Sequence, residues 1–416
     1  MTQDQLPPGP PSGDQPPVAG PARRGSFLEV LAVFTRLGFT SFGGPVAHLG
    51  YFHDELVERR EWVSEEEYAD LVALCQFLPG PASSQVGIGL GLSRAGLLGG
   101  LAAWLGFTLP SALALIAFAL GVASLGDVSG AGWLHGLKVV AVAVVAHAVW
   151  GMARRLTPDR PRITIALLAA VFVLLWPTSL GQLLVIALGG LVGWWGLRGG
   201  APPPAPAARR FPVGRRLGVA LLVLFAASLV GLPLLREATG SFGVAVADAF
   251  YRSGSLVFGG GHVVLPLLQA EVVPPGWLDD QTFIAGYGAA QAVPGPLFTF
   301  AAYLGAAMRP GVAGVATGLL ALAAVFLPSF LLLIGVLPFW DRLRAQASVQ
   351  AALRGVNAAV VGLLLAALYE PVWTSAVRGA PDLALGLAAF LLLAVWRWPA
   401  WAVVLLSAVV GAFALG

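Results

Sequence analysis

Two short stretches carry the residues that could do chemistry. Phe34–Gly50, FTRLGFTSFGGPVAHLG, sets Arg36, a Gly43-Gly44-Pro45 break and His48 inside an apolar run. Phe250–Pro266, FYRSGSLVFGGGHVVLP, repeats the arginine and the break with Arg252 and Gly259-Gly260, and carries His262, which does not align with His48. Arginine suits a tetrahedral oxyanion because its planar fork donates two hydrogen bonds at once. Each stretch is followed by a Gln-x-x-Pro-Gly-Pro element: Gln76 with Pro79 and Gly80, and Gln291 with Pro294 and Gly295. Proline ends a helix and glycine permits the sharp turn. A helix restarting at Ser83-Ser84 or Thr299 would point free backbone N–H groups and its positive dipole end at an anion. The candidate binding residues are therefore Arg36, Gly43, Gly44, Gln76, Pro79, Gly80, Ser83, Ser84, Arg252, Gly259, Gly260, Gln291, Pro294, Gly295 and Thr299.

The competing reading for the arginines is an ion pair with a nearby carboxylate, such as Glu29 or Asp248. Glu55 and Glu271 could pair with the arginines or relay protons, and His48 and His262 could titrate. These four are the candidate coupling residues. No catalytic set, metal centre or cofactor motif is expected. Cys75 is the only cysteine, the five histidines show no HExxH spacing, and GxxxxGK[ST] is absent. Any drive is then ionic or electrical, or comes from a partner, rather than from P-loop hydrolysis of ATP.

What must position these residues is a bundle of membrane helices. The chain is 57% hydrophobic and 11% charged, against about 25% charge in a soluble domain. Many apolar runs approach the roughly 20 residues that cross a bilayer. The expected fold is an all-α polytopic membrane protein. Its thirteen segments lie near 27–50, 68–92, 95–124, 132–152, 162–177, 181–197, 217–236, 242–268, 281–307, 311–338, 348–370, 381–396 and 399–415. With a cytoplasmic N-terminus, the inside loops collect Arg94, Arg154, Arg155, Arg160, Arg162, Arg198, Arg209, Arg210, Arg215, Arg216, Arg342, Arg344, Arg354 and Arg397. That is the bias expected of cytoplasmic loops.

Residues 34–124 and 250–338 align at an offset of about 215. Arg36 matches Arg252, Glu55 matches Glu271, Trp62 matches Trp277, and Leu109-Pro110-Ser111 matches Leu327-Pro328-Ser329. Chance likeness between apolar runs would match Leu, Ala and Val instead. The expected organisation is a Pro-rich disordered tail (1–24), a first repeat (25–197), a cytoplasmic linker (198–216), a connecting helix (217–236) and a second repeat (237–416). Six segments per repeat and one between them would invert the second copy, with binding at broken or re-entrant helices near the midplane.

At these residues the sequence resembles the chromate transporter (CHR) family, of the long-chain, two-domain kind. Phe42-Gly43-Gly44-Pro45 with Ala47-His48, the run Gly259 to Pro266, and the two Gln-x-x-Pro-Gly-Pro elements carry the likeness. The resemblance implies a multi-pass protein of the bacterial inner membrane that exports chromate, confers resistance, draws on the proton motive force and meets sulfate as a competitor. The expected partners are the chromate or sulfate anion and membrane lipids, with a homodimer left open and no nucleic acid. Sulfate or another oxyanion as cargo is the alternative. A membrane-embedded lipid-phosphate enzyme is the alternative of another class.

Overall fold

A computed structural model describes residues 25–42, 44–124, 131–197, 213–258, 261–344 and 346–414. Gly43, Gly259 and Gly260, the expected tail and residues 198–212 of the expected linker lie outside the described residues. Every regular element among the described residues is helical. The first half holds α1 (Phe27–Thr40), α2 (Gly44–Phe52), α3 (Glu65–Phe77), α4 (Ala82–Ser124), α5 (Gly132–Leu156), α6 (Arg160–Leu175) and α7 (Ser179–Gly196). A lone helix, α8 (Arg215–Thr239), follows. The second half holds α9 (Phe242–Ser255), α10 (Val264–Val272), α11 (Asp280–Ala290), α12 (Phe300–Ala307), α13 (Gly311–Val336), α14 (Trp340–Arg344), α15 (Ala347–Ala367), α16 (Thr374–Ala376), α17 (Ala380–Ala394) and α18 (Ala400–Ala414).

Local chemistry sets the element ends. Ser26 and Glu29 form a capping box on α1, and Ser64 and Glu67 form another on α3. Asp279, at the place matching Ser64, caps α11 by accepting from the Thr282 N–H. α4 is two helices joined at Ala95–Gly96, where the backbone leaves the helical region and turns back. The counterpart of this turn is the one between α12 and α13. Arg94 lies over the Trp62 ring at the first turn, and Arg309 lies over the Phe242 ring at the second.

Five stretches are long and apolar enough to cross a membrane: 82–124, 132–156, 215–239, 311–339 and 347–376. Four of the thirteen expected segments are instead interrupted. Segment 27–50 is divided between α1 and α2, and 68–92 between α3 and α4. Segment 242–268 is divided between α9 and α10, and 281–307 between α11 and α12. The interruptions fall at the glycine and Pro-Gly-Pro elements, where the backbone cannot continue a helix.

The halves are clasped together at these interruptions. The Gly80 N–H donates to the Val257 carbonyl (2.7 Å), and the Gly295 N–H donates to the Ser41 carbonyl (2.9 Å). Ser41 and Val257 occupy matching positions, so the two bonds are reciprocal. Each turn also seats on the Leu-Pro-Ser of the other half. A Cβ on Gly80 would come within 2.6 Å of Ser329 Oγ, and one on Gly295 within 2.9 Å of Ser111 Oγ.

The later helices are exchanged in the same way. α5 packs on α17 and α18 of the second half, and α15 packs on α6 and α7 of the first. Gly136 lies against the Ser407 carbonyl, and Gly355 lies against that of Gly189. Small residues allow such backbone approach between membrane helices. α15 also ends where α5 begins. The Ser375 carbonyl accepts from Gln281, whose Oε1 accepts from Lys138, while Asp382 bonds His135 at 2.8 Å. The matching helices α5 and α15 therefore run in opposite directions.

Both turn glycines hold positive φ, 120° at Gly80 and 97° at Gly295. Gly80→Ala and Gly295→Ala are each expected to destabilise the protein by about 1–3 kcal/mol through backbone strain, with the serine contact adding to it. Gly50→Ala and Gly121→Ala, where a Cβ meets nothing within 4 Å, should change stability by less than about 0.5 kcal/mol. Thermal unfolding of the four purified variants in detergent checks the contrast.

Candidate functional site

A cavity of about 810 Å³ opens where elements of both halves meet. Gly44 and Pro45, at the start of α2, supply one wall. Gln291, Val293 and Gly295, in the turn after α11, supply another. The connection between α17 and α18, Arg397 to Ala400, closes a third side. The C-terminal half of α5 forms the fourth. Val144, His147, Gly151 and Arg154 recur at the spacing of one helix face and run for roughly 15 Å.

The charge of this lining is of one sign. Arg154, Arg155 and Arg397 line the cavity with His147 and His262, and among the described residues none of the lining is Asp or Glu. The indoles of Trp150 and Trp398 add further donors. Arg397 holds φ 56°, a left-handed backbone that costs a residue with a Cβ about 1–2 kcal/mol. Among the cavity's polar groups, Gln291 Nε2 has no hydrogen-bond partner, and the Nδ1 of His262 lies 2.6 Å from the Tyr287 hydroxyl. Unpaired donors and guanidinium groups, with no carboxylate among the described lining residues, are the chemistry an oxyanion requires.

Of the expected binding and coupling residues, Gly44, Gln291, Gly295 and His262 line this cavity. A second group lies buried beside the first Pro-Gly-Pro turn. His48 Nδ1 is 3.3 Å from Ser83 Oγ, and Gln85 Nε2 donates to the Pro79 carbonyl at 2.7 Å. Ser41 Oγ, His48 Nε2, Ser84 Oγ and Gln85 Oε1 have no partner there. Thr299 turns inward on its own chain and donates to the Pro296 carbonyl (2.8 Å), beside Pro294. Gln76 is exposed.

The two arginines sit elsewhere, each beside the matching carboxylate. Arg252 Nη2 donates to Asp248 Oδ2 and to Glu271 Oε2, both at 2.9 Å. Arg236 joins Asp248 at 3.3 Å. Arg36 Nη1 lies 3.8 Å from Glu55 Oε1, and its side chain is 61% exposed. Glu29 pairs with Arg94. Glu55 also accepts from Arg59 (2.6 Å) and Arg60 (2.8 Å). Burial alone would raise the Glu55 carboxyl, but the Arg60 hydrogen bond, with the Arg59 and Arg36 charges, holds it below the usual carboxylate range. Its contribution is present above that range and fades as pH falls through it.

Sequence reasoning passed over Arg154, Arg155 and Arg397 as site residues, having counted them only as loop charges. Their signal was present. The first two stand one turn beyond His147 and Trp150 on a span, and Arg397 sits among tryptophans between two short apolar segments.

The comparisons agree with this architecture. A family described as chromate transporter matches residues 28–194 and 244–412, one stretch in each half. A chromate transport protein of Pseudomonas aeruginosa is 31% identical over 88% of this chain and 85% of its own length. A probable chromate transport protein of Synechococcus elongatus is 28% identical over 89% and 90%, and a chromate transport protein of Cupriavidus metallidurans is 28% identical over 82% and 81%. No solved structure matches.

The ion clusters give an unequal pair of expected outcomes. Arg252→Ala strips a direct donor from Asp248, whose side chain is 3% exposed and keeps Arg236, and should destabilise by about 1.5–3 kcal/mol. Arg36→Ala removes an exposed, long-range partner and should change stability by less than about 1 kcal/mol. Thermal unfolding in detergent reads both.

Proposed function

The chain belongs to the chromate transporter family, and from that premise we propose that it carries chromate out of the cell across the inner membrane and so confers resistance. The observation that carries this reading is the cavity with three arginines, two histidines and no carboxylate among its described lining residues. Arg154, Arg155 and Arg397 are also charges that the loop bias assigns to the cytoplasmic side. A dianion is drawn into the cavity from that side, and Gln291, His147 and His262 meet it at depth.

The drive is the membrane potential. An inside-negative potential favours outward movement of negative charge by about 2.3 kcal/mol per charge per 100 mV, twice that for a dianion. Uphill export then needs no bound proton. The reading takes residues 25–197 and 237–416 as inverted repeats, joined by 198–216 and α8. The opposite run of α5 and α15 and the reciprocal Gly80 and Gly295 bonds support that orientation. The Arg36–Glu55 and Arg252–Glu271 pairs hold the matching helices in place rather than read the anion. Sulfate shares chromate's charge and tetrahedral shape, and this donor set accepts either, so sulfate competes.

Flux in everted vesicles tests the reading. Chromate accumulation should fall when the potential is collapsed and persist when only the pH gradient is. Added sulfate should inhibit it. Arg154→Gln, Arg155→Gln and Arg397→Gln should each raise half-saturating chromate by about tenfold, the effect of about 1.4 kcal/mol. No chromate flux under any gradient contradicts the function. Cysteines at positions 64 and 279 should label from opposite faces, and labelling from one face contradicts the inverted orientation.

A further inference from the structure

The close contacts between helices fix how the two halves correspond beyond the aligned motifs. Gly136 meets Ser407 as Gly355 meets Gly189, and Gly411 meets Gly132 as Gly193 meets Ala351. In that register Val144 and His147 of α5 answer to Leu363 and Ala366 of α15. The correspondence ends with α15 at Ala367, because the backbone leaves the helical region at Glu370.

The cavity stands open between the starts of α2 and α18. The same place in the other half lies between α10 and the start of α7, and there the elements are joined. Gln182 Nε2, in the first turn of α7, donates to the Pro266 carbonyl of α10 at 3.2 Å. Ala366 is 2% exposed, whereas His147 is exposed and lines open space. Because α15 runs opposite to α5, this shut region faces the other side of the membrane.

We propose that α7, α10 and α15 form a second, outward-facing vestibule for the same dianion, shut in this conformation by Gln182. The inference rests on the reading of the chain as a dianion carrier. The α6–α7 connection carries no charge where the α17–α18 connection carries Arg397.

The test uses full-length protein in which Cys75→Ala removes the native thiol. His147→Cys and Ala366→Cys are exposed to a membrane-impermeant maleimide in right-side-out and everted vesicles. His147→Cys should react from the face that carries Arg154, and Ala366→Cys only from the other. Gln182→Ala should speed the Ala366→Cys reaction about fivefold, the effect of losing one ordinary hydrogen bond. Leu363→Cys repeats the measurement should Ala366→Cys fail to assemble. Reaction of either vestibule cysteine from the His147→Cys face overturns the proposal. So does silence at both positions, or a rate that Gln182→Ala leaves unchanged. Labelling needs no substrate, so this outcome is separate from whether chromate is the cargo.

Discussion

A backbone N–H buried inside a membrane protein must find an acceptor, because lipid offers none. The two Pro-Gly-Pro turns create such donors by breaking their helices. Gly80 and Gly295 satisfy them on Val257 and Ser41, each reaching across to the other half. The chain can therefore break its helices near the centre of the molecule only because both halves are present and placed against one another. The seating of each glycine on the opposite Leu-Pro-Ser serine, and the exchange of α5 and α15 between halves, extend the same constraint outward. The cavity lies next to this crossing and takes walls from both halves.

Symmetry of backbone does not bring symmetry of chemistry. The frame repeats glycine for glycine, yet the residues facing its openings differ. Val144 and His147 of α5 stand against Leu363 and Ala366 of α15.

Much of this was legible in the sequence, and the limits have physical causes. Membrane helices follow from the scarcity of charge, and the duplication from matched Arg, Glu, Trp and Pro-Gly-Pro residues that chance would not repeat. The breaks at 79–81 and 294–296 follow from proline's missing donor. Sequence does not disclose which face of a helix a side chain takes. Arg36 and Arg252 were the leading anion readers because a charge within a span is usually functional. The structure pairs them instead with Glu55, Asp248 and Glu271, and an ion pair needs proximity that the linear chain hides. Arg154, Arg155 and Arg397 looked like ordinary loop charges because they stand at the ends of segments. Only folding brings the end of α5 to the α17–α18 connection and to Gln291.

The central claim is that the anion is read by the shared cavity and not by the paired arginines. Equilibrium binding of chromate to the purified protein tests it most directly, with Gln291→Leu and Arg397→Gln compared against Arg36→Ala. The account predicts that binding weakens by about tenfold or more in the first two and is unchanged in the third. Binding that survives both cavity substitutions and is lost with Arg36→Ala would contradict it.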